Sequence, residues 1–438
     1  MKLPTLHSPI IGSNSWRTSV WTVVAAFGTY FCMYGFRKPF ASAEYAGIII
    51  WGLSYKSVLI TSQVLGYMSS KFLGIRFVTG LRAEYRVPGI IVLISISELA
   101  LFLNGMAAPP WNVVFLFLNG LPLGMVFGLV LGFLEGRQTT EALTAGLCAS
   151  FILADGVSKS AGAWVLSFGI SEFWMPFTAG LIFLPPLLIF TAMLKKVPPP
   201  TNEDIAHRCE RPPLDRAERR KIFLKNSPGL TLLIGTYLFL TILRSVRADF
   251  APEIWKGLGY SGQSNLFTQS ELIVTLGVVF ANGMAILIRD NRRAFFTALG
   301  VGITGFMIAG YGILGWRKGW IDGFDLMVLL GLGLYLPYVA VHTTIFERLI
   351  AMTGDRGNLG YLIYLADSFG YLGYVGVMLV RSFRPRGQGL AGENFLDFFI
   401  PVATILVILA GLMLVGSWIY FDRKMFRSSA DLAAPTLQ

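Results

Sequence analysis

Charged residues are scarce in this chain. Asp, Glu, Lys and Arg make up 14% of its 438 residues, against roughly 25% in an ordinary soluble domain. Hydrophobic residues make up 54%, and the mean hydropathy is +0.62. A soluble chain of this length needs polar shells around several domains, and these charges are too few to build them. Disorder, coiled coil, collagen and disulfide scaffolds are excluded by the same numbers, so the composition indicates a polytopic membrane protein.

Residues that carry catalysis or bind metals are equally scarce. The three cysteines, Cys32, Cys148 and Cys209, have neither metal-site nor disulfide spacing. The sequence contains no His-Glu-x-x-His, no Gly-x-Ser-x-Gly and no Gly-Lys-Ser/Thr phosphate loop. We therefore expect no enzyme, no metal and no cofactor. We attribute the net charge of +11 to basic residues in cytoplasmic loops, and we expect no nucleic-acid-binding surface.

Long apolar runs recur along the whole chain. A helix needs about 20 apolar residues to cross the hydrocarbon core. Runs of that length predict twelve membrane-spanning helices at 18–40, 48–72, 88–108, 111–134, 142–168, 173–194, 229–248, 266–288, 293–315, 325–346, 359–380 and 398–421. The N-terminal apolar run lacks a signal-peptide cleavage pattern, so we expect the first helix to be retained.

One long polar segment divides these spans into two sets of six. The sequence predicts an N-terminal six-helix bundle (1–194), a central loop (195–228) and a C-terminal six-helix bundle (229–438). With the N-terminus inside, 24 of the 36 lysines and arginines fall in inner segments and 8 in outer ones. This bias places both termini and the central loop in the cytoplasm, which in a bacterium means a plasma (inner) membrane protein.

The two halves repeat each other. Both 133–155 and 345–367 run from a Glu at the end of one span to a Leu-Ala-Asp inside the next. The first spans of the halves also agree, because Arg37 and Arg244 occupy matching positions. Two similar halves of the same orientation predict a parallel repeat about an axis along the membrane normal. The predicted fold is therefore all-α, with two six-helix bundles related by a pseudo-twofold axis.

Four stretches carry a family resemblance: YGFRKPF, Ser70 to Gly74, LNGLPLGMVFGLVLGFLEGR and YLFLTILRSVRADFAPEIW. They resemble the major facilitator superfamily, and within it most closely the organophosphate:phosphate antiporters. By that resemblance, Arg37 and Arg244 match the paired arginines that clamp a substrate phosphate, and Lys38 matches a neighbouring position. Where the fifth helix of that family typically carries a His, this sequence has Asp155 and Lys159.

The residues around the two arginines also repeat. Tyr30, Tyr34 and Arg37 are spaced i, i+4 and i+7, as are Tyr237, Thr241 and Arg244. On a helix this spacing predicts a hydroxyl-bearing stripe that leads to an Arg, as expected for the wall of a polar cavity. The guanidinium fork suits carboxylate or phosphate. Two alternatives stay open: Arg37 as an interfacial anchor, and the tyrosines as a packing stripe.

Other ionisable residues in the spans are candidates for coupling or gating. Asp155 and Lys159 have the i, i+4 order that favours an ion pair, either structural or opened by substrate. Asp367 has no such Lys, and so needs a partner from another helix or a proton. His342 lies four residues after Tyr338, and both a structural and a coupling role stay open.

Charged residues also mark the inner ends of matching spans. Glu135 with Arg137 and Glu347 with Arg348 occupy equivalent positions in the two halves. In a rocking transporter, such residues can form salt bridges that close the cytoplasmic side. The alternative is an ordinary helix-end charge in water, which contributes little.

These observations together predict a secondary transporter that works by alternating access. Its substrate is expected to be a small organic anion, with a phosphate ester as one class, moved by antiport or with protons. Two alternatives stay open: a sensor that binds an anion on a transporter fold, and a lipid or amphiphile mover. Beyond the anionic solute and the lipid bilayer no partner is expected, and a monomer suffices for this architecture.

Overall fold

Long helices coincide with all twelve predicted spans in the computed structural model, which describes residues 15–134, 140–198, 224, 226–260, 262–286, 288, 290–353, 359–382 and 395–433. The first six are α1 (Ser15–Tyr34), α2 (Tyr55–Gly80), α3 (Ala83–Met106), α4 (Asn112–Leu134), α5 (Thr140–Ser167) and α6 (Met175–Lys195). The second six are α7 (Ser227–Asp249), α8 (Leu266–Ile286), α9 (Asn291–Arg317), α10 (Gly323–Ala340), α11 (Leu359–Ser382) and α12 (Phe395–Ala433).

Most of these helices are suited to a bilayer by length and composition. Within the described residues, eight are long and apolar enough to cross it: α3, α4, α6, α7, α8, α9, α10 with its continuation, and α12. Three of the others carry buried charged groups, namely Lys56 in α2, Asp155 and Lys159 in α5, and Asp367 in α11. The protein is therefore an integral membrane protein, and several of its less apolar helices turn polar groups inward.

The first predicted span, 18–40, is too long at its C-terminal end. Helix α1 ends at Tyr34, and the amides of Arg37 and Lys38 both donate to the Tyr34 carbonyl in a tight turn. A Cβ at Gly35 would lie 2.1 Å from the Phe183 ring, so only glycine permits this close packing. Pro39, which has no backbone N–H to continue the helical hydrogen bonds, then opens a 3-10 turn. Arg37 thus lies beyond α1, not on its face as predicted.

The second predicted span, 48–72, begins too early. Residues Ile49–Ile50 (β1) and Leu53–Ser54 (β2) form a small antiparallel hairpin, and α2 begins only at Tyr55. Trp51 and Gly52 at its turn have φ values of 53° and 81°, which end any helical run there. The segment is apolar enough for a membrane span, but the positive φ angles of Trp51 and Gly52 at the turn are incompatible with an α-helix.

Helix α10 changes its winding in the middle of the second half. After Ala340 the chain forms a π-helical segment, Val341–Ile345, and then continues as the helix Phe346–Thr353. His342 lies in this π-helical segment. Single π turns inside α-helices occur frequently at functional sites. The winding of Val341–Ile345 therefore makes this segment a candidate part of a functional site.

The two bundles meet along two pairs of helices. α1 packs on α5 and α6, and α2 packs on α4, within the first bundle; α7 packs on α11 and α12, and α9 packs on α10, within the second. Between the bundles, α5 packs against α8, and α2 packs against α11. A twofold axis exchanges α2 with α8 and α5 with α11, so these two contacts are equivalent. The predicted all-α fold of two pseudo-twofold-related six-helix bundles is confirmed.

Candidate functional site

Arg37 is held by a turn whose backbone is bonded by side chains from two neighbouring helices, α2 and α4. Because α1 ends at Tyr34, the following carbonyl groups lack helical partners. Gln63 donates to the Arg37 carbonyl at 2.9 Å, and Asn119 donates to the Phe36 carbonyl at 3.0 Å. Gln63 also donates to the Asn119 side chain at 2.7 Å, and Asn119 donates to Ser97 at 2.6 Å. This buried amide network sets the position of the Arg37 side chain.

Tyrosine rings surround the Arg37 guanidinium. Its central carbon lies 3.8 Å from the centroid of the Tyr67 ring and 5.5 Å from that of Tyr34. Arg37 is 6% exposed, so it lies inside the protein rather than at the headgroups. Distances under about 6 Å allow a cation–π attraction. The position argues against the interfacial anchor, which would require an exposed side chain.

Arg244 has a matching environment in the second bundle. Its guanidinium carbon lies 4.4 Å from the Tyr338 ring centroid and 5.9 Å from that of Tyr335, and both tyrosines are buried in α10. Unlike Arg37, Arg244 is well inside its helix, α7. The tyrosine ring closest to each arginine therefore comes from another helix: Tyr67 of α2 for Arg37, and Tyr338 of α10 for Arg244. These rings orient the guanidinium groups without neutralising their charge.

The two guanidinium groups share neighbours. Tyr34 and Tyr371 each interact electrostatically with both Arg37 and Arg244, and the Tyr371 ring lies 5.8 Å from that of Tyr67. Within the part of the chain that the structure describes, no carboxylate lies within 4.0 Å of either guanidinium, and both buried Nε atoms lack a hydrogen-bond acceptor. Two cations therefore face a common tyrosine-lined region, with open donor capacity for an anion.

Four charged residues form a neutral cluster beside the arginines. Lys38 bonds to Asp249 at the end of α7, and its Nζ lies 3.8 Å from Asp155 Oδ1. Lys159 bonds to Asp155 within α5, so the predicted i, i+4 ion pair is present. The Tyr374 hydroxyl donates to the second Asp249 oxygen at 2.8 Å. Because Lys38 and Asp249 belong to different bundles, this cluster ties the bundles together.

Two further ion pairs connect the bundles at the same end. Lys56 at the start of α2 lies 2.6 Å from Glu253 in a short helix, Ala251–Gly257, that follows α7. Lys256 in that helix lies 2.9 Å from Glu44. The Glu44 bond raises the pKa of Lys256, which is largely exposed. Three lysine–carboxylate pairs, which differ in exposure, therefore link the two bundles at the end of the protein at which α1 and α7 terminate.

Asp367 has the partner from another helix that the sequence required. The Tyr237 hydroxyl of α7 donates to Asp367 Oδ1, and His342 Nε2 lies 4.0 Å from the same oxygen. Tyr237 and His342 are themselves 3.5 Å apart, and His342 Nδ1 lies 2.9 Å from the Tyr338 carbonyl. A carboxyl, an imidazole and a phenol thus form one polar group beneath Arg244, with atoms that can hold or pass a proton.

The remaining predicted residues have varied surroundings. Tyr30 is buried, with its ring 5.6 Å from Tyr34 and 5.3 Å from Phe127, so it is part of an aromatic cluster. Arg348 donates to Asn291 of α9 at 2.8 Å, and Glu347 beside it is half-buried. Glu135 and Arg137 lie outside the described residues. The cytoplasmic gate therefore stays a prediction.

Sequence reasoning identified Tyr34 beside Arg37, but not the other tyrosines around the two arginines and not the inter-bundle ion pairs. Tyr67 and Tyr371 come from α2 and α11, and no sequence spacing relates them to Arg37. Lys56 and Glu253 are 197 residues apart, and only the docking of the two bundles joins them. The one available signal was the repeat itself, since a twofold axis brings α2 towards α11.

Comparison with known proteins identifies the family. A model of a family of unknown function, DUF5690, matches residues 39–424, which is most of the chain. The chain belongs to the DUF5690 family. No curated protein sequence matches it significantly.

Solved structures show the same fold at low sequence identity. A D-xylose-proton symporter has a TM-score of 0.62 at 14% identity, covering 92% of this chain and 97% of its own. The nucleoside transporter NupG has a TM-score of 0.57 at 14% identity, covering 92% and 99%. The xylose transporter XylE from E. coli, in a partially occluded inward-open conformation, has a TM-score of 0.58 at 13% identity, covering 92% and 97%. This DUF5690 chain therefore has the major facilitator fold.

Proposed function

We propose that this DUF5690 protein is a secondary transporter that moves a small organic anion by alternating access, with a phosphate ester as its substrate class. The observation that carries the proposal is the pair Arg37 and Arg244, one from each bundle, in a shared tyrosine-lined region without a carboxylate within 4.0 Å among the described residues. The choice of a phosphate ester among organic anions is supported by the resemblance of four sequence stretches to organophosphate:phosphate antiporters.

The energetics favour an anionic ligand over a structural role for the arginines. An arginine within a span costs about 2.5–3.5 kcal/mol on insertion scales. A cation–π contact returns about 0.5–2 kcal/mol, so the tyrosines offset part of that cost but supply no counter-charge. An anion held by both guanidinium forks would supply it, through bidentate bonds that arginine geometry favours. The ring faces and hydroxyl groups of the tyrosines would then surround the rest of the solute.

The architecture supports a rocking motion of the two bundles. The bundles pack through α5 with α8 and α2 with α11, and three lysine–carboxylate pairs close one end. Opening that end requires the pairs to separate. A substrate that binds between Arg37 and Arg244 lies next to the Lys38–Asp249 pair, and so could alter its charge balance.

The Asp367 group is the element of this proposal that would couple transport to protons. Asp367, Tyr237 and His342 come from three helices of the second bundle and lie next to the Tyr338 platform of Arg244. A proton on the carboxyl or the imidazole would change the field at Arg244. One of the structural neighbours is a D-xylose-proton symporter, so the fold is compatible with proton coupling.

We propose that the protein is a monomer in the bacterial inner membrane, with both termini cytoplasmic.

The test is uptake and counterflow in proteoliposomes that contain the purified protein. We expect uptake of phosphate esters in preference to xylose or nucleosides. Arg37→Lys and Arg244→Lys remove a bidentate, charge-assisted bond worth about 1.5–3 kcal/mol, so kcat/KM should fall about 10- to 150-fold. The matched control is Arg317→Lys at the exposed end of α9, which should transport as the parent does.

Three results would reject the proposal. If both Arg→Lys variants transport as well as the parent, the arginines do not bind the substrate. If only neutral sugars or nucleosides are carried, the substrate class is wrong. Saturable binding without counterflow would support the sensor instead of the transporter.

A further inference from the structure

A groove lies on the outside of the second bundle, apart from the arginine pair. It has a volume of about 1050 Å³ and lies between α8, α9, α10 and α12. Its lining is mainly apolar and includes Phe296, Gly300, Leu332, Leu336 and Trp418. Neighbouring apolar side chains of the same helices are exposed, such as Phe280 at 73% and Met307 at 62%. In a membrane-spanning bundle such surfaces face the acyl chains, so the groove opens to the bilayer.

One end of this groove is cationic. Arg293, in the first turn of α9, lines it and is exposed, and among the described residues no carboxylate lies within 4.0 Å of its guanidinium. Its neighbour Arg292, by contrast, lies 3.7 Å from Asp422. Asp290 caps the N-terminus of α9: its carboxylate accepts a hydrogen bond from the Arg293 backbone amide at 2.7 Å and forms no ion pair with the Arg293 side chain. The groove therefore has at its mouth an exposed arginine that forms no ion pair among the described residues, and it has an apolar floor.

The length of the groove fits a lipid chain. From Arg293 to Ile308 along α9 is about 22 Å at a rise of about 1.5 Å per residue. One leaflet of the hydrocarbon core is about 15 Å thick, so the groove is long enough to hold an acyl chain through the whole depth of that leaflet. A small hydrophilic anion would meet only apolar groups and two threonines, Thr297 and Thr304, beyond the arginine. A molecule with an anionic head and a long apolar tail matches the whole surface.

We infer that this groove binds an anionic phospholipid, with the headgroup phosphate at Arg293 and one acyl chain along α9 towards Ile308. The predicted orientation places Arg293 at the cytoplasmic leaflet, where anionic lipids concentrate. The site lies outside the tyrosine-lined region around Arg37 and Arg244, so it does not depend on the transported substrate. It adds a lipid ligand to this protein whether or not the proposed transport is correct.

Two variants separate the head and the tail of this site. Arg293→Gln removes the cation, and its control is Arg317→Gln at the other end of α9. Gly300→Leu fills the groove, because a Cβ at Gly300 already lies 3.4 Å from Trp418. Its control is Gly310→Leu in the same helix, since a Cβ at Gly310 meets no atom within 4 Å. Neither Gly300 nor Arg293 belongs to the tyrosine-lined region around Arg37 and Arg244.

The measurement is native mass spectrometry of the purified full chain, titrated with phosphatidylglycerol or phosphatidylcholine. We expect the parent and both controls to retain one phosphatidylglycerol at least tenfold more readily than phosphatidylcholine. Arg293→Gln should bring that preference close to one, and Gly300→Leu should abolish retention of both lipids. The inference is wrong if Gly300→Leu retains lipid as the parent does, if Arg293→Gln keeps the preference, or if inorganic phosphate displaces the bound lipid.

Discussion

The Lys38–Asp249 pair should hold the bundles closed at the end where α1 and α7 terminate. The two side chains are 10% and 5% exposed, and they form a neutral set of four charges with Asp155 and Lys159. Replacing Lys38 with Met leaves a net negative charge inside the protein. Removing one partner of a buried ion pair typically costs about 3–5 kcal/mol. Asp249 keeps its bond from Tyr374, so we expect the lower end of that range.

The loss of the ion pair destabilises only the conformation in which the bundles are closed, because water reaches the remaining charges when the bundles open. A loss of about 3 kcal/mol shifts the closed-to-open equilibrium constant by roughly 150-fold. The matched control is Lys256→Met. Its pair with Glu44 is 60% and 39% exposed, and exposed pairs contribute about 0.2–1 kcal/mol, which is at most roughly a fivefold effect. The structure thus predicts very different outcomes for two lysines that both bridge the bundles at one end.

A buried thiol reports the opening. Ser245 is 5% exposed and lies four residues before Asp249 in α7, on the helix face that meets Lys38 of the other bundle. Ser245→Cys should therefore react with a charged thiol reagent only when the bundles part. The three native cysteines are first replaced by serine. Lys38→Met should raise the labelling rate by at least tenfold, and Lys256→Met by no more than roughly fivefold.

The double variant Lys38→Met with Asp249→Leu restores a neutral cluster and should return the labelling rate towards that of the parent. A double-mutant cycle isolates the interaction between the two residues. Equal labelling in Lys38→Met and Lys256→Met, or no change in either, would refute the reasoning. So would a double variant that labels faster than each single variant.

Hydropathy was sufficient to predict the helices but not where the first one ends. The run from Ser19 to Phe36 is uncharged, so the sequence pattern continues the span past Tyr34. The end is set by a contact that lies far away in sequence, since Gly35 packs directly on the Phe183 ring. Tertiary packing of this kind overrides a local pattern. As a consequence, Arg37 is presented by a turn, while its counterpart Arg244 stays within a helix.

The pairing of Arg37 with Arg244 could be predicted because the repeat puts an arginine near the end of the first span in each half. The surrounding rings could not, because they come from helices that meet only when the bundles dock: Tyr67 from α2, Tyr338 from α10 and Tyr371 from α11. The same holds for Asp367. The sequence predicted that it needs a partner, but the identity of that partner, Tyr237, depends on the packing of α7 against α11.

Two further predictions concern coupling and packing. Asp367→Asn should remove the pH dependence of uptake and leave counterflow intact, because it withdraws the carboxylate that Tyr237 and His342 contact; an unchanged pH profile would exclude Asp367 from coupling. Gly66→Ala should destabilise the protein by about 1–3 kcal/mol, because its Cβ would lie 2.2 Å from a backbone carbonyl of α4, which cannot move aside. The control is Gly310→Ala, whose Cβ meets no atom within 4 Å. Thermal unfolding in detergent should separate the two, since alanine otherwise favours a helix over glycine by about 1 kcal/mol; equal melting temperatures would mean that α2 and α4 do not approach this closely.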